Sequence, residues 1–347
     1  MIWIEKYRPD NFDDIVGQDK NINIINKMID GGSMPHLLLH GKSGTGKTST
    51  IMSIANKLYG KNKALMMIRL DASDDRGINT VREEIKGFAE KMTPFNTGIK
   101  LIILDEADSM TFDAQFALRR IIEKYSDDTR FCIICNYMNK IIAPIKARCV
   151  NLRFYPIDKK IIVERLKYIC GEEKLKYEKN SLEAIATISN GDLRKAINIL
   201  QSLSMMMGTK KKICIDSCYN SAGIPPPALI KQLYNNLINK DISFEKCYKY
   251  IEENIINEGY TLSFLIQELN KILIEENSKE NSEKNAEKNE EKNEEKNAEK
   301  NADDDNMFDI PSIIRYIEEL AELEYMVAQS IFNDMYMVGL IAIFKKK

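Results

Sequence analysis

Along the first half of the chain, short apolar runs alternate with longer stretches in which apolar side chains recur every three or four positions. The runs fall at 36–40, 66–70, 100–104, 130–135 and 149–154. Helix-length segments separate them, the pattern of strands buried on both faces of a parallel sheet. Helical spacing predicts helices over 21–30, 49–59 and 113–124. Beyond Tyr155-Pro156 the strand pattern stops, and 159–170, 181–189 and 192–206 read as three helices. In the last of these, Leu193, Ala196, Ile197, Leu200 and Leu203 follow the spacing of one buried helix face. Pro225-Pro226-Pro227 interrupts the pattern, and helices are predicted again over 228–239, 243–253, 261–275 and about 310–344. The expected organisation is an α/β domain over 1–155, a small all-helical domain over 156–224 and a second all-helical domain over 225–347.

Composition changes this picture at one place. Between residues 277 and 306 there are six Lys against eleven Asp and Glu, and 283–302 repeats a four-residue unit, Glu-Lys-Asn-Ala/Glu, five times. With no aromatic or branched aliphatic side chain, the segment cannot offset the entropy of ordering, and it reads as a disordered insertion. It carries a local charge of −5 in a chain that totals −2, so the remainder stands near +3 and permits a nucleic-acid-facing patch without demanding one. The longest apolar run, 335–344, is far shorter than the ~18 residues of a bilayer span, and charges at positions 5, 6, 8 and 10 argue against a signal peptide. Seven cysteines and two histidines leave little for a disulfide scaffold or a His-based catalytic or metal site. Cys132 and Cys135, inside one strand, are predicted to point to opposite faces and to serve as core thiols rather than zinc ligands.

The sharpest chemical signal is GKSGTGKT at Gly41 to Thr48, which follows a predicted strand and opens a predicted helix. Gly41, Gly44 and Gly46 let backbone N–H groups curl around phosphate oxygens at a helix N-terminus. Gly41, Lys42, Ser43, Gly44, Thr45, Gly46, Lys47, Thr48 and Ser49 thus form a candidate triphosphate cradle. Lys47 is placed to bridge the β- and γ-phosphates, and the Thr48 hydroxyl to ligate Mg²⁺. A second signal is LIILDE at Leu101 to Glu106, an apolar strand ending in two acids. Asp105 is placed to hold the Mg²⁺ shell and Glu106 to polarise an attacking water. Together these residues predict nucleotide hydrolysis with ATP and Mg²⁺.

Five further boxes give the chain a family resemblance: WIEKYRP at Trp3 to Pro9, DIVGQ at Asp14 to Gln18, DASDDRGI at Asp71 to Ile78, DEADSMT at Asp105 to Thr111, and GDLRKA at Gly191 to Ala196. In this combination and order the chain resembles replication factor C small subunits, the AAA+ sliding-clamp loaders, over nearly all of its length except 277–306. The resemblance implies an AAA+ phosphate-loop ATPase core with a parallel sheet, a helical lid and a C-terminal helical collar. It also implies a heteropentamer with other replication factor C subunits, ATP-driven loading of a sliding clamp onto primer–template DNA in replication and repair, and a nuclear location.

By the same resemblance Asn136 matches sensor 1, Arg194 matches sensor 2, and Ile4, Arg8 and Val16 line the nucleotide pocket. Trp3 and Tyr7 either share that role or anchor the segment in the core. Arg148 matches the arginine finger given to a neighbour's ATP, where an always-charged planar guanidinium suits the γ-phosphoryl group. The chain departs from the family in having Ala147 where Ser is usual, and Lys42-Ser43 where Pro-Pro is frequent. Arg76, Arg82 and Lys86, and more weakly Arg119 and Arg120, are candidate contacts to the DNA backbone, and 88–95 is a candidate clamp-facing edge. Two other readings stand beside this one: a hexameric helicase motor of the same superfamily, and a non-hydrolysing scaffold subunit that donates only Arg148. Assembly-dependent hydrolysis predicts weak ATPase activity for the isolated chain.

Overall fold

A computed structural model of the chain describes residues 2–32, 34–72, 78–91, 98–208, 212–239, 241–275, 310–329 and 334–345. The repetitive insertion read over 277–306 lies outside the described residues. Two compact units are present, Met1–Cys218 and Tyr219–Lys347.

The first unit is built on five strands: β1 (Leu37–Gly41), β2 (Met67–Asp71), β3 (Lys100–Asp105), β4 (Thr129–Cys135) and β5 (Val150–Phe154). They pair in the order β2-β3-β4-β1-β5, every pair parallel. All six residues of β3 are buried, as a strand covered on both faces requires. The two faces separate by residue parity. Leu38, Ile102, Leu104, Ile133 and Cys135 share one core with Ile85 of helix α3 (Ile78–Glu90) and with Leu118 and Ile122 of α4 (Phe112–Lys124). Leu37, Leu39, Leu101, Ile103, Cys132 and Ile134 share the other with Ile25 of α1 (Asp19–Asp30) and Ile51 and Ile54 of α2 (Lys47–Tyr59). Cys132 and Cys135 therefore point to opposite faces, and every cysteine of the chain is a free thiol. The same unit continues into α5 (Lys159–Glu172), α6 (Ser181–Ser189) and α7 (Leu193–Met207). Asp192 caps α7, its carboxylate accepting from Lys195 N–H at 3.0 Å.

Helix α8 (Ile215–Ala222), which periodicity did not reveal, spans the division between the units. The second unit is helical: α9 (Pro227–Ile238), α10 (Phe244–Ile251) running into a π turn over Glu252–Ile256, α11 over 262–275, α12 (Ile310–Gln329) and α13 (Asp334–Lys345). Leu233, Ile251, Leu265, Leu269, Leu320 and Leu340 meet in its core. Pro227 starts a helix here rather than only breaking one, because its fixed φ suits the first helical position and its missing N–H would be unpaired there anyway. The single helix expected over 310–344 is corrected to two, α12 and α13. Apolar side chains recur on both sides of the break, so apolar periodicity alone does not register it. No described helix is long and apolar enough to cross a membrane.

Candidate active site

The loop between β1 and α2 curls over the first turn of the helix. Gly46, the residue before α2, has φ +96°, a left-handed conformation that favours glycine. The Thr45 hydroxyl donates to Lys42 O at 2.8 Å and holds the loop closed. Lys47 is buried at 7 % exposure, and its ammonium donates to Gly41 O and Lys42 O, both at 2.8 Å, and to Asn136 Oδ1 at 3.0 Å. Burial lowers its pKa from the usual lysine value, with the Asp105 charge acting in the opposite sense. The Thr48 hydroxyl donates to Asp105 Oδ2 at 3.1 Å.

The strand ends supply the acids. Asp105 is the last residue of β3, and its Oδ1 accepts the Glu106 N–H at 3.1 Å. Glu106 is exposed and sits at φ 53°, in the left-handed region that non-glycine residues adopt at a cost of order 1–3 kcal/mol. Because β4 lies between β3 and β1, the residue that follows it, Asn136, faces the phosphate loop. The backbone N–H groups of Asn136 and Tyr137 donate to Asp108 Oδ2 at 3.3 and 3.2 Å and fix that turn. Buried Gln115 ties the same region together: its Nε2 donates to Met110 O and Lys140 O, and its Oε1 accepts from Ile142 N–H.

The helices after the sheet close the site from above. Gly44 O accepts the Leu193 N–H at 3.2 Å, at the start of α7. Gly44 itself has φ +67°, and a Cβ there would lie 1.7 Å from Asp192 Oδ1. Arg194, on the first turn of α7, lines a cavity of about 500 Å³ together with Ser43 to Ser49, Asp105, Glu106 and Asn136. Ile4, Arg8 and Val16 line it too. Trp3 and Tyr7 are buried anchors, and Tyr7 lines the cavity as well: the Trp3 backbone N–H donates to Gln201 Oε1 at 3.0 Å, and Tyr7 OH and Lys6 Nζ both donate to Glu173 Oε1 at 2.7 Å. Trp3, Lys6 and Tyr7 thus hold the WIEKYRP segment to α7 and the end of α5, while Ile4, Tyr7 and Arg8 line the cavity.

Among the lining residues that were not singled out for this cavity are Arg69 and Asp71 on β2. Arg69 Nη2 pairs with Asp105 Oδ2 at 2.9 Å. Only the one-to-one register of β2 with β3 brings them together. Thr48 and Asp105 present adjacent hydroxyl and carboxylate oxygens, a hard donor set that fits Mg²⁺.

The remaining candidates lie elsewhere. Arg148 is exposed and is not among the residues lining the cavity. Its guanidinium donates to Pro144 O at 2.9 Å and pairs with Glu123. Arg119 pairs with the same Glu123 oxygen at 3.0 Å, so two candidate functional arginines share one carboxylate. Hydrogen bonds from Arg119, with the nearby charges of Arg119 and Arg148, lower the Glu123 pKa. Arg120 and Lys86 are exposed on α4 and α3. Arg82 lies within α3, its side chain outside the described residues, and Arg76 and residues 92–95 of the 88–95 edge also fall outside them.

A parallel β2-β3-β4-β1-β5 sheet with a phosphate loop after β1, acids at the tip of β3 and a helical lid over the loop defines an AAA+ ATPase. Family models agree: the ATPase family associated with various cellular activities matches residues 37–156, the RCF1/5-like AAA+ ATPase lid domain 164–205, and the replication factor C C-terminal domain 225–288. Curated relatives include the probable replication factor C subunit 5 of Dictyostelium discoideum, 46% identical over 79% of this chain and 78% of that protein. Human replication factor C subunit 5 is 42% identical over 77% and 78% of the two chains, and the replication factor C small subunit of Aeropyrum pernix 40% over 80% and 84%. Among solved structures, a RuvB variant from Thermotoga maritima shares the fold at TM-score 0.51 and 17% identity, covering 67% of this chain and 80% of that one. The chain belongs to the replication factor C small-subunit family and carries its ATPase domain.

Proposed function

We propose that this chain is one small subunit of a heteropentameric clamp loader that spends ATP to place a ring-shaped sliding clamp on primer–template DNA in the nucleus. The observation that carries the reading is the convergence of Lys47, Thr48, Asp105, Glu106, Asn136 and Arg194 on one cavity, drawn from four separate stretches of sequence. ATP enters with its adenine and sugar against Ile4, Arg8 and Val16, and its phosphates over the loop from Gly41 to Ser49. Phosphate oxygens then replace the carbonyl partners of the Lys47 ammonium, which gains charge-assisted bonds in a desolvated site. Glu106 orients and deprotonates the attacking water, while Asn136 and Arg194 hold the γ-phosphoryl group in line. A bound Mg²⁺, held by Thr48 and Asp105, supplies charge neutralisation to the phosphates.

Arg148 acts in trans. Its place outside its own subunit's cavity supports donation to a neighbour's nucleotide, and that division makes hydrolysis depend on assembly. Lys86, Arg82 and Arg76, with Arg119 and Arg120, follow the DNA backbone through contacts that give affinity without sequence reading. DNA contact realigns the catalytic groups, hydrolysis follows and the clamp closes.

The test has two arms. Calorimetry on the pure chain should detect ATP binding that Lys47→Ala weakens at least 100-fold, and tagged chain should co-purify with related subunits and a ring-shaped clamp. A chain that binds no adenine nucleotide, alone or in complex, would refute the proposal.

A further inference from the structure

The ion pair between Arg69 and Asp105 belongs to none of the roles above, and it sits on the carboxylate oxygen that also accepts the Thr48 hydroxyl. We propose that Arg69 is a built-in counter-cation for Asp105, holding the carboxylate in place when no divalent metal is bound and competing with the metal for it. The inference deepens the reading of the cavity as a nucleotide site and rests on it.

Three observations lead there. The β2–β3 register sets Asp71 directly opposite Asp105 and Arg69 opposite Ile103. Arg69, Asp71 and Asp105 therefore project from one face of the sheet, two carboxylates on neighbouring strands with one guanidinium beside them. Second, the side chain of Asp105 is only 11 % exposed while that of Arg69 is 42 % exposed. A carboxylate this enclosed is costly to leave without a cation or several donors. The arginine that supplies the charge is open enough to swing away without crossing the core, and β2 is the sheet edge, so its withdrawal disturbs no strand beyond. Third, the contact is to Oδ2, the oxygen shared with Thr48, whereas Oδ1 is taken by the Glu106 N–H. Asp105 and Thr48 together are the metal's donor set, so a guanidinium bonded to Oδ2 and a divalent ion bound there exclude one another. Arginine suits this place because its planar guanidinium is weakly hydrated, so it partners a buried acid at low desolvation cost.

The competition is read with Mn²⁺ as the probe, by the electron paramagnetic resonance signal of the free ion, on the full chain with ADP. Arg69→Gln is expected to lower the Mn²⁺ concentration at half-saturation by roughly three- to tenfold, the range of one partly exposed, charge-assisted pair. It is also expected to weaken ADP binding in the presence of chelator, because the Asp105 carboxylate, without that guanidinium, then faces the phosphates. Arg69→Lys, which keeps the charge and loses the planar fork, should fall between the two. A general loss of folding would weaken both equilibria together, so opposite signs are the signature of competition. If Arg69→Gln does not fold, Arg69→Lys reads the same equilibrium. Half-saturation that is unchanged or raised in a variant still binding ADP overturns the inference and leaves the nucleotide site standing. Failure of the unmodified chain to bind ADP or Mn²⁺, or binding that survives Lys47→Ala, overturns both.

Discussion

His36, immediately before β1, is one of only two histidines in the chain, and its partners explain why it carries no catalytic duty. Its Nδ1 accepts the Phe131 N–H at 3.1 Å, which leaves the ring proton on Nε2, 3.4 Å from Ser126 Oγ. Burial, with the nearby Arg130 charge, pushes its pKa from 6.5 down to about 4. Between those two values the unfolded chain binds a proton that the folded chain refuses, so stability falls as pH falls through that window. The loss at pH 5 is at most about 2 kcal/mol. Melting curves at pH 7.5 and pH 5 should show a difference in midpoint that is visibly smaller in His36→Gln, which cannot titrate. Residues such as Lys47 and Thr48 were legible in the sequence because their chemistry is tied to a local spacing. Arg69 was not, because its meaning comes from a residue thirty-six positions away that β-pairing sets beside it.

Among elements, the phosphate loop and the lid are joined through Gly44. The contact of Gly44 O with Leu193 N–H, and the 1.7 Å approach of a hypothetical Cβ to Asp192 Oδ1, mean that no larger side chain fits while α7 keeps its place. Gly44→Ala should weaken nucleotide binding at least tenfold and destabilise the protein by about 1–3 kcal/mol, through the collision and the left-handed φ together. Asp192→Ser retains a helix cap and clears the collision, so the double variant should recover part of the affinity; a calorimetric titration of the three proteins distinguishes the two effects. Strands and helices of the first unit were readable to within a few residues, since both periods are strong there. Helix α8 escaped notice because it is short and only Cys218 is buried along it. The break between α12 and α13 escaped because apolar side chains recur in both helices, so the pattern continues from one to the other.

At the scale of the whole molecule, Lys47, Thr48, Asp105, Glu106, Asn136 and Arg194 share one cavity that Arg148 does not line. Arg148→Ala should leave nucleotide affinity of the isolated chain unchanged, yet slow hydrolysis at the neighbouring subunit's site in the assembled complex by about 1000-fold. Steady-state turnover of the complex, with the other sites silenced, checks this. Equal effects on the isolated chain and the complex would place the arginine in its own site instead. Replacement of Glu123 offers a companion measurement, since that carboxylate holds both Arg148 and Arg119.

What the sequence determined by itself is the set of local rules: a Gly-rich turn that only a phosphate loop needs, acids at the end of an apolar run, and helix faces spaced for burial. Each is a property of neighbours along the chain, so it survives without coordinates. The sheet order that seats Asn136 against Lys47, the register that lays Arg69 on Asp105, and the packing that divides Trp3 from Ile4, Tyr7 and Arg8 were decided only by the tertiary structure. Those contacts join residues far apart in sequence, and their energy exists only once the whole core has formed.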